Sequence, residues 1–193
     1  MKTKSIKNII AFCIVILVIF LSCFGIKYSL NKNLERQKQE EQDIINKYGV
    51  LEKESIENTI KKFNITIENM NNLIPLKDTY LTIDNSQYWY GLVDGLYCFV
   101  IPEKITGNKN KDISKKINIY YEKETNNKEI AIQYLKLLIK SNNEEISEEE
   151  LNKFITDAEK LAKENKLAYN GKGITLGIFE SDQHIEYQVT RLY

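Results

Sequence analysis

The hydrophobic positions of this chain form one unbroken run near its start and become periodic further on. Residues 9–26, IIAFCIVILVIFLSCFGI, contain no charged side chain. As a helix with a rise of about 1.5 Å per residue, this run would be about 27 Å long, which is close to the hydrocarbon thickness of a bilayer. Lysines lie within residues 1–8 and at Lys27. The pattern predicts a transmembrane signal-anchor over 9–26, a cytoplasmic basic start over 1–8, and the lipid bilayer as a partner.

The sequence leaves two alternatives to a retained anchor, which are cleavage of the apolar run as a signal peptide and lipidation at Cys23. Cleavage as a signal peptide favours a shorter apolar core and a small-x-small site, and the best small pair here is Cys23 with Gly25. Lipidation would make Cys23 the first residue of the mature chain. The residues before it, FLS (20–22), resemble a bacterial lipobox at Ser22 and are bulkier than that pattern at the other two positions. We expect the uncut anchor, with lipidation at Cys23 as the alternative.

The segment that follows, residues 27–49, is rich in strong helix formers and has almost no apolar stripe. A polar helix of this kind is typical of a solvated stalk. We therefore expect a helical stalk over 27–49 and a folded domain over 50–193. Long domains that follow a signal-anchor translocate largely regardless of their charge, so this domain is expected on the extracytoplasmic side of the cell membrane.

Three segments of the domain show the apolar spacing of amphipathic helices, and they are 50–63, 127–140 and 147–165. In the first, apolar residues recur at helical intervals from position 51 to position 63. The second and third open with the pairs Asn126–Glu129 and Ser147–Glu150, which have the spacing of a capping box.

Other segments alternate with a period of two, as strands do. Residues 88–93 and 96–101 flank Asp94-Gly95, a strong signal for a two-residue hairpin because both central positions of the turn need positive φ. Residues 173–180 and 184–192 form a second predicted hairpin. Helices and strands come in blocks and do not alternate strictly. The sequence therefore predicts an α+β domain, with an antiparallel sheet of two hairpins packed on two to three helices.

Composition excludes some classes of function. Heavy use of Ile, Asn, Lys and Glu suggests an AT-rich bacterial genome. The first 27 residues contain four of the 27 basic side chains, so the other 166 contain 23 basic and 27 acidic ones. Because the domain has no Lys/Arg stripe, we expect no nucleic-acid partner. Cys98 is the one cysteine beyond the apolar run, which excludes a disulfide within the domain and is typical of a small buried hydrophobe.

The most distinctive local feature is the aromatic cluster of the first predicted hairpin, which consists of Tyr88, Trp89, Tyr90, Tyr97 and Phe99. Aromatic residues are favoured in strands and alternate into a core, so an ordinary hairpin core is one interpretation. Because one face of the alternation must look away from the core, a partner-binding face for a peptide or for sugar rings is the other. The candidate residues for this face are Tyr88, Trp89, Tyr90 and Tyr97.

No catalytic, cofactor or metal constellation stands out in the sequence. The acidic run 142–150 lacks the ligand order and the central glycine of a calcium loop, and it suits the start of a helix. The segment 169–174 lacks the spacing of a P-loop. His184 is the single histidine, which excludes His-based zinc clusters and leaves little for a nucleophile–histidine pair. We expect no cofactor, no metal and no enzymatic activity.

These observations predict a single-pass bacterial membrane protein whose extracytoplasmic domain binds an unknown envelope protein or cell-wall component. One alternative is an envelope lipoprotein anchored at Cys23. Another is a wall-acting enzyme that uses carboxylates. Exposed aromatic side chains on the hairpin would favour the binding protein, whereas a concave pocket with two facing carboxylates would favour the enzyme.

Overall fold

Two compact units divide the chain, Met1–Asp43 and Ile44–Tyr193. A computed structural model describes a defined set of residues within them. These are 25–36, 38–43, 45–47, 50–68, 70, 72–82, 86–143, 145–164, 168–170 and 173–193. The predicted signal-anchor, except for its last two residues, and the candidate lipidation site Cys23 lie outside this set.

In the first unit, residues 25–36 and 38–43 are helical and almost entirely exposed. Arg36 and Glu40 form an ion pair one helical turn apart, with 3.4 Å between nitrogen and oxygen. The helical conformation agrees with the sequence pattern, while the role of this segment as a stalk stays a prediction. Across the residues that the structure describes, no helix is both long and apolar enough to cross a membrane.

The second unit contains three α-helices after residue 50 among its described residues, and residues 45–47 are also helical. The three are α1 (Ile56–Ile67), α2 (Lys128–Asn142) and α3 (Glu148–Lys163), and a short 3₁₀ turn, Lys123–Thr125, precedes α2. Each α-helix buries an apolar stripe, as the spacing of its hydrophobic residues predicts.

Helix α1 differs from the predicted segment 50–63 at both ends. It begins at Ile56, because the hydroxyl of Ser55 accepts the backbone N–H of Asn58 and caps the first turn. The residues at 50–54 are not helical, so the predicted start is wrong. The helix continues to Ile67, beyond the predicted end.

The start of α2 also differs from the prediction. The expected capping box of Asn126 and Glu129 is wrong, since Asn126 has a left-handed backbone with a φ of 54° and the helix begins at Lys128. The side chain of Asn127 instead donates to the carbonyl of Asp94 at 2.6 Å. This hydrogen bond ties the start of α2 to the turn of the first hairpin.

Seven strands form one antiparallel sheet with the order β1-β2-β3-β4-β7-β6-β5. The strands are β1 (Thr79–Leu81), β2 (Tyr88–Val93), β3 (Leu96–Pro102), β4 (Ser114–Glu122), β5 (Ala168–Asn170), β6 (Ile174–Glu180) and β7 (His184–Arg191). The predicted α+β class with an antiparallel sheet is confirmed. The pairing of β4 with β7 joins the two halves of the sheet, which lie far apart in sequence.

Both predicted hairpins are present. Strands β2 and β3 pair across Asp94-Gly95, and β6 pairs with β7. Gly95 has a φ of 68°, a left-handed conformation that glycine adopts without a steric penalty. Asp94 does not have a positive φ, so the predicted turn with positive φ at both central positions is wrong, although Asp94-Gly95 does connect the two paired strands.

One face of the sheet and all three helices share a single core. Because side chains alternate along a strand, every second residue points toward the helices. Helices α1, α2 and α3 each add buried side chains to this core, such as Phe63, Leu135 and Phe154. The strand residues in it are Tyr88, Tyr90, Leu96, Cys98, Val100, Ile117, Ile119, Tyr121, Ile174, Leu176, Tyr187 and Val189. Within the described residues of the second unit, α1, α2 and α3 therefore all pack on one face of the sheet.

Replacement of Gly95 by Ala should destabilise the domain. A left-handed backbone costs an L-residue about 1–2 kcal/mol, and an added Cβ would lie 2.4 Å from Cγ2 of Thr125. We expect the free energy of unfolding, measured by urea denaturation, to fall by at least that amount. Gly91→Ala is the matched control. A Cβ added at Gly91 would have none of the heavy atoms of the described residues within 4 Å, apart from those of its two chain neighbours. Equal losses for the two variants would contradict the assigned turn.

Candidate functional site

The face of the sheet that points away from the helices, here called the outer face, is built largely from aromatic side chains. Strand alternation decides which residues lie there, because the neighbours of the core residues point the opposite way. Six rings of this face are linked by ring-to-ring contacts and form what we call the ring cluster. They are Tyr80, Trp89, Tyr97, Phe99, Tyr120 and His184.

One line of the ring cluster crosses three strands in register. Tyr80 of β1 lies opposite Trp89 of β2, which lies opposite Phe99 of β3. The ring centroids are 6.5 Å apart for Tyr80 and Trp89, and 4.8 Å apart for Trp89 and Phe99, with interplanar angles of 18° and 14°. Stacked in this way, the rings shield one another from water. Phe99 is 5% exposed, whereas Tyr80 on the edge strand is 58% exposed.

A second part of the ring cluster is tilted. Trp89, Tyr97 and Tyr120 contact one another with centroid distances of 5.6, 6.0 and 6.4 Å and interplanar angles between 52° and 63°. The ring of His184 packs on Tyr120 at 4.7 Å. The indole Nε1 of Trp89 donates to the side-chain oxygen of Gln87 at 2.8 Å, which helps to fix the ring orientation. Trp89 therefore belongs to both the stacked and the tilted part.

Polar groups of the outer face concentrate where β4 meets β7. Asn118 is fully buried, and its side-chain amide donates to the carboxylate of Glu186. Its other polar atom, Oδ1, has no hydrogen-bond partner among the described residues. Burial raises the pKa of the Tyr120 phenol, and the negative charges of Glu122 and Glu186 raise that pKa further. This end of the ring cluster is therefore electronegative.

The structure divides the four predicted binding residues between the two faces of the sheet. Trp89 and Tyr97 are half-buried and lie on the outer face. Tyr88 and Tyr90 are 4% and 1% exposed and belong to the core. Burial also raises the pKa of Tyr90 to about 12. The prediction that Tyr88 and Tyr90 belong to the binding face is therefore wrong, because strand alternation turns both side chains toward the helices.

Tyr88 takes part in a buried polar cluster that holds the loop between β3 and β4. Its hydroxyl donates to the carboxylate of Asp112 at 2.5 Å. The backbone N–H and the hydroxyl of Thr106 donate to the same carboxylate at 2.7 and 2.6 Å. Burial opposes the ionisation of Asp112, but the hydrogen bonds from Thr106 and Tyr88 outweigh it and lower the pKa of this carboxyl. These contacts give Tyr88 a structural role.

Sequence reasoning missed three members of the ring cluster. Tyr120 lies between Ile119 and Tyr121, and an alternating pattern that buries those two predicts that Tyr120 points outward. That signal was present in the sequence. Tyr80 and His184 could not be placed in this way, because their position beside other rings depends on which strands pair.

The remaining candidate features have structural explanations. In the acidic run 142–150, the capping box of Ser147 and Glu150 is confirmed, with reciprocal hydrogen bonds between side chain and backbone. Cys98 is completely buried, and burial raises the pKa of its thiol. Within the described ranges, no group of three His, Cys, Asp or Glu side chains could hold a metal ion.

One serine–histidine contact calls for a chemical interpretation. The hydroxyl of Ser181 lies 2.9 Å from Nδ1 of His184. The same hydroxyl accepts the backbone N–H groups of Gln183 and His184 at the tip of the last hairpin. This is the bonding of a serine that stabilises a turn, so the contact is part of the hairpin. The outer face thus presents aromatic rings, with carboxylates at one end.

No protein-family profile matches the sequence, and comparisons with curated proteins and with solved structures found no match. Function is therefore inferred from the residues and the geometry of the outer face.

Proposed function

We propose that this chain is a single-pass bacterial membrane protein whose extracytoplasmic domain binds a partner through its outer face and catalyses no reaction. The partner is an envelope protein or a cell-wall component. Residues 9–26 anchor the chain in the bilayer and residues 27–49 form a stalk.

The observation that carries this proposal is the ring cluster on the sheet face opposite to the one on which α1, α2 and α3 pack. The solvent side of an antiparallel sheet is usually polar. Here, stacked and tilted rings occupy it across four adjacent strands, from Tyr80 on β1 to Tyr120 on β4. Contiguous aromatic surface of this kind marks interaction sites, because rigid rings bury a large area at a small cost in rotamer entropy.

Away from the outer face, the exposed apolar side chains of the described residues in 50–193 do not make a comparable surface. Ile65, Ile74 and Ile105 are 55%, 46% and 37% exposed. They lie in α1 and in separate loops, and single exposed hydrophobic residues are normal on a soluble surface. Ile105 therefore provides a reference position away from the outer face.

The binding face can be tested by photo-crosslinking in intact cells. A photoreactive residue at position 80 should give a specific crosslinked product, whereas the same residue at position 105 should not. Adding Tyr97→Ala should reduce the yield from position 80 at least about fivefold, because hot-spot aromatic residues supply most of the binding energy. Circular dichroism should show that the variants stay folded. Equal yields from both positions, or no effect of Tyr97→Ala, would argue against the proposal.

The anchor can be tested separately with Cys23→Ser. If residues 9–26 are retained as a transmembrane helix, this change should leave the protein in the membrane fraction. Protease added to intact cells should then remove the domain and spare the first few residues. A mature chain that begins with an acylated Cys23, or release of the Cys23→Ser variant from the membrane, would identify a lipoprotein instead.

A further inference from the structure

We propose that the outer face binds a second copy of this chain, in a two-fold dimer with the two sheets face to face and their β4 strands antiparallel. This inference rests on the proposed function, because it names the partner of the same face. The symmetry axis lies between the sheets, perpendicular to the strands, and crosses β4 at the level of Ile119. Each outer residue before that level then lies over an outer residue after that level in the second copy.

The charged side chains of β4 are complementary under this symmetry. Strand alternation places Lys116 and Glu122 on the outer face, each three residues from Ile119. The half turn therefore brings Lys116 of each copy over Glu122 of the other, and the dimer contains this pair twice. Packed sheets are about 10 Å apart, a gap that two long charged side chains can bridge.

The same charges select the direction of the strands. Glu186 lies opposite Tyr120 in the pairing of β4 with β7, so a second carboxylate lies near the Glu122 end of the face. If the two β4 strands ran in the same direction, Lys116 would meet Lys116 and the carboxylates would meet one another. Like charges that face each other across an interface oppose association. The antiparallel arrangement avoids both contacts.

The sizes of the side chains on β2 are complementary as well. In the registers of β2, β3 and β4, Trp89 lies in line with Asn118 and Gly91 lies in line with Tyr120, on either side of the axis. The half turn therefore brings Trp89 of one copy over Gly91 of the other. Gly91 is exposed, and apart from its two chain neighbours the described residues place no heavy atom within 4 Å of a Cβ added there. The missing side chain leaves room for the indole of the second copy.

The area of the outer face determines the expected strength of the dimer. The six strands from β1 to β6 span about 24 Å, and Lys116 and Glu122 are about 20 Å apart along β4. Exposed rings lie at both sides of this area, at Tyr80 and at Phe179. The footprint is about 500 Å² for each copy, whereas stable interfaces usually bury about 800 Å² for each partner. We therefore expect the dimer to form between chains held in one membrane and to dissociate on dilution in detergent.

The test is crosslinking between two copies of the full chain in intact cells. Two copies with different epitope tags are expressed together, and one of them has a photoreactive residue at position 80. The wild-type pair should give a product that contains both tags. Lys116→Glu in both copies should lower the yield of this product at least about fivefold, because like charges then face each other. Glu122→Lys in both copies should have the same effect.

A mixed pair of variants separates charge pairing from general damage to the face. Lys116→Glu in one copy and Glu122→Lys in the other restore opposite charges at both contacts, so the yield should return to within about twofold of the wild-type yield. Lys61→Glu in both copies is the matched control, since Lys61 is exposed on α1, which packs on the other face of the sheet. This control should leave the yield unchanged. Circular dichroism should show the native spectrum for every variant.

Three results would overturn this inference. They are no product with both tags from the wild-type pair, unchanged yields from both single variants, and a mixed pair that crosslinks no better than the single variants. If one of them occurs while crosslinking from position 80 to another molecule still depends on Tyr97, the partner is not a second copy and the proposed function stands. If crosslinking from position 80 is also independent of Tyr97, the proposed function itself fails.

Discussion

A sheet has two faces, and in the described part of this chain helices cover one of them. Helices α1, α2 and α3 all bury side chains in the same core with the inward residues of the strands. The outer face must therefore limit its own contact with water. It does so with rings that stack across neighbouring strands, and this packing buries Phe99 to 5% exposure without a helix above it.

The same constraint would suit the outer face to the binding role proposed for it. Rings that pack on one another are held in place before any partner arrives, and the hydrogen bond from Trp89 to Gln87 adds to this order. A pre-organised surface loses little conformational entropy on binding. The stacked part of the ring cluster thus stabilises the sheet, while the edge residue Tyr80 and the tilted rings remain accessible.

Features of the fold that depend on local chemistry could be predicted from the sequence. The turn at Asp94-Gly95 and the cap at Ser147 each need particular residues at fixed spacing. The start of α1 could not be predicted, because the apolar spacing of Leu51 continues a helical pattern. In the structure, the backbone N–H of Leu51 instead donates to the carbonyl of Leu192, at the far end of the domain.

In the candidate site, too, local patterns in the sequence predict some features, whereas long-range contacts determine others. Alternation along one strand can separate Trp89 from its inward neighbours, and it can turn Tyr120 outward. The meeting of Tyr120 with His184 depends on the pairing of β4 with β7. That pairing is a long-range contact, and no local pattern in the sequence specifies it.

The central claim is that a partner covers the outer face in the cell. Oxidative footprinting with mass spectrometry tests it when applied to intact cells and to the purified full chain. We expect Tyr80, Trp89 and Tyr97 to be oxidised less in cells than in the purified protein. Met70, which is 43% exposed and lies in the loop after α1, should be oxidised equally in both. Equal oxidation of the three aromatic residues in the two preparations would contradict the claim.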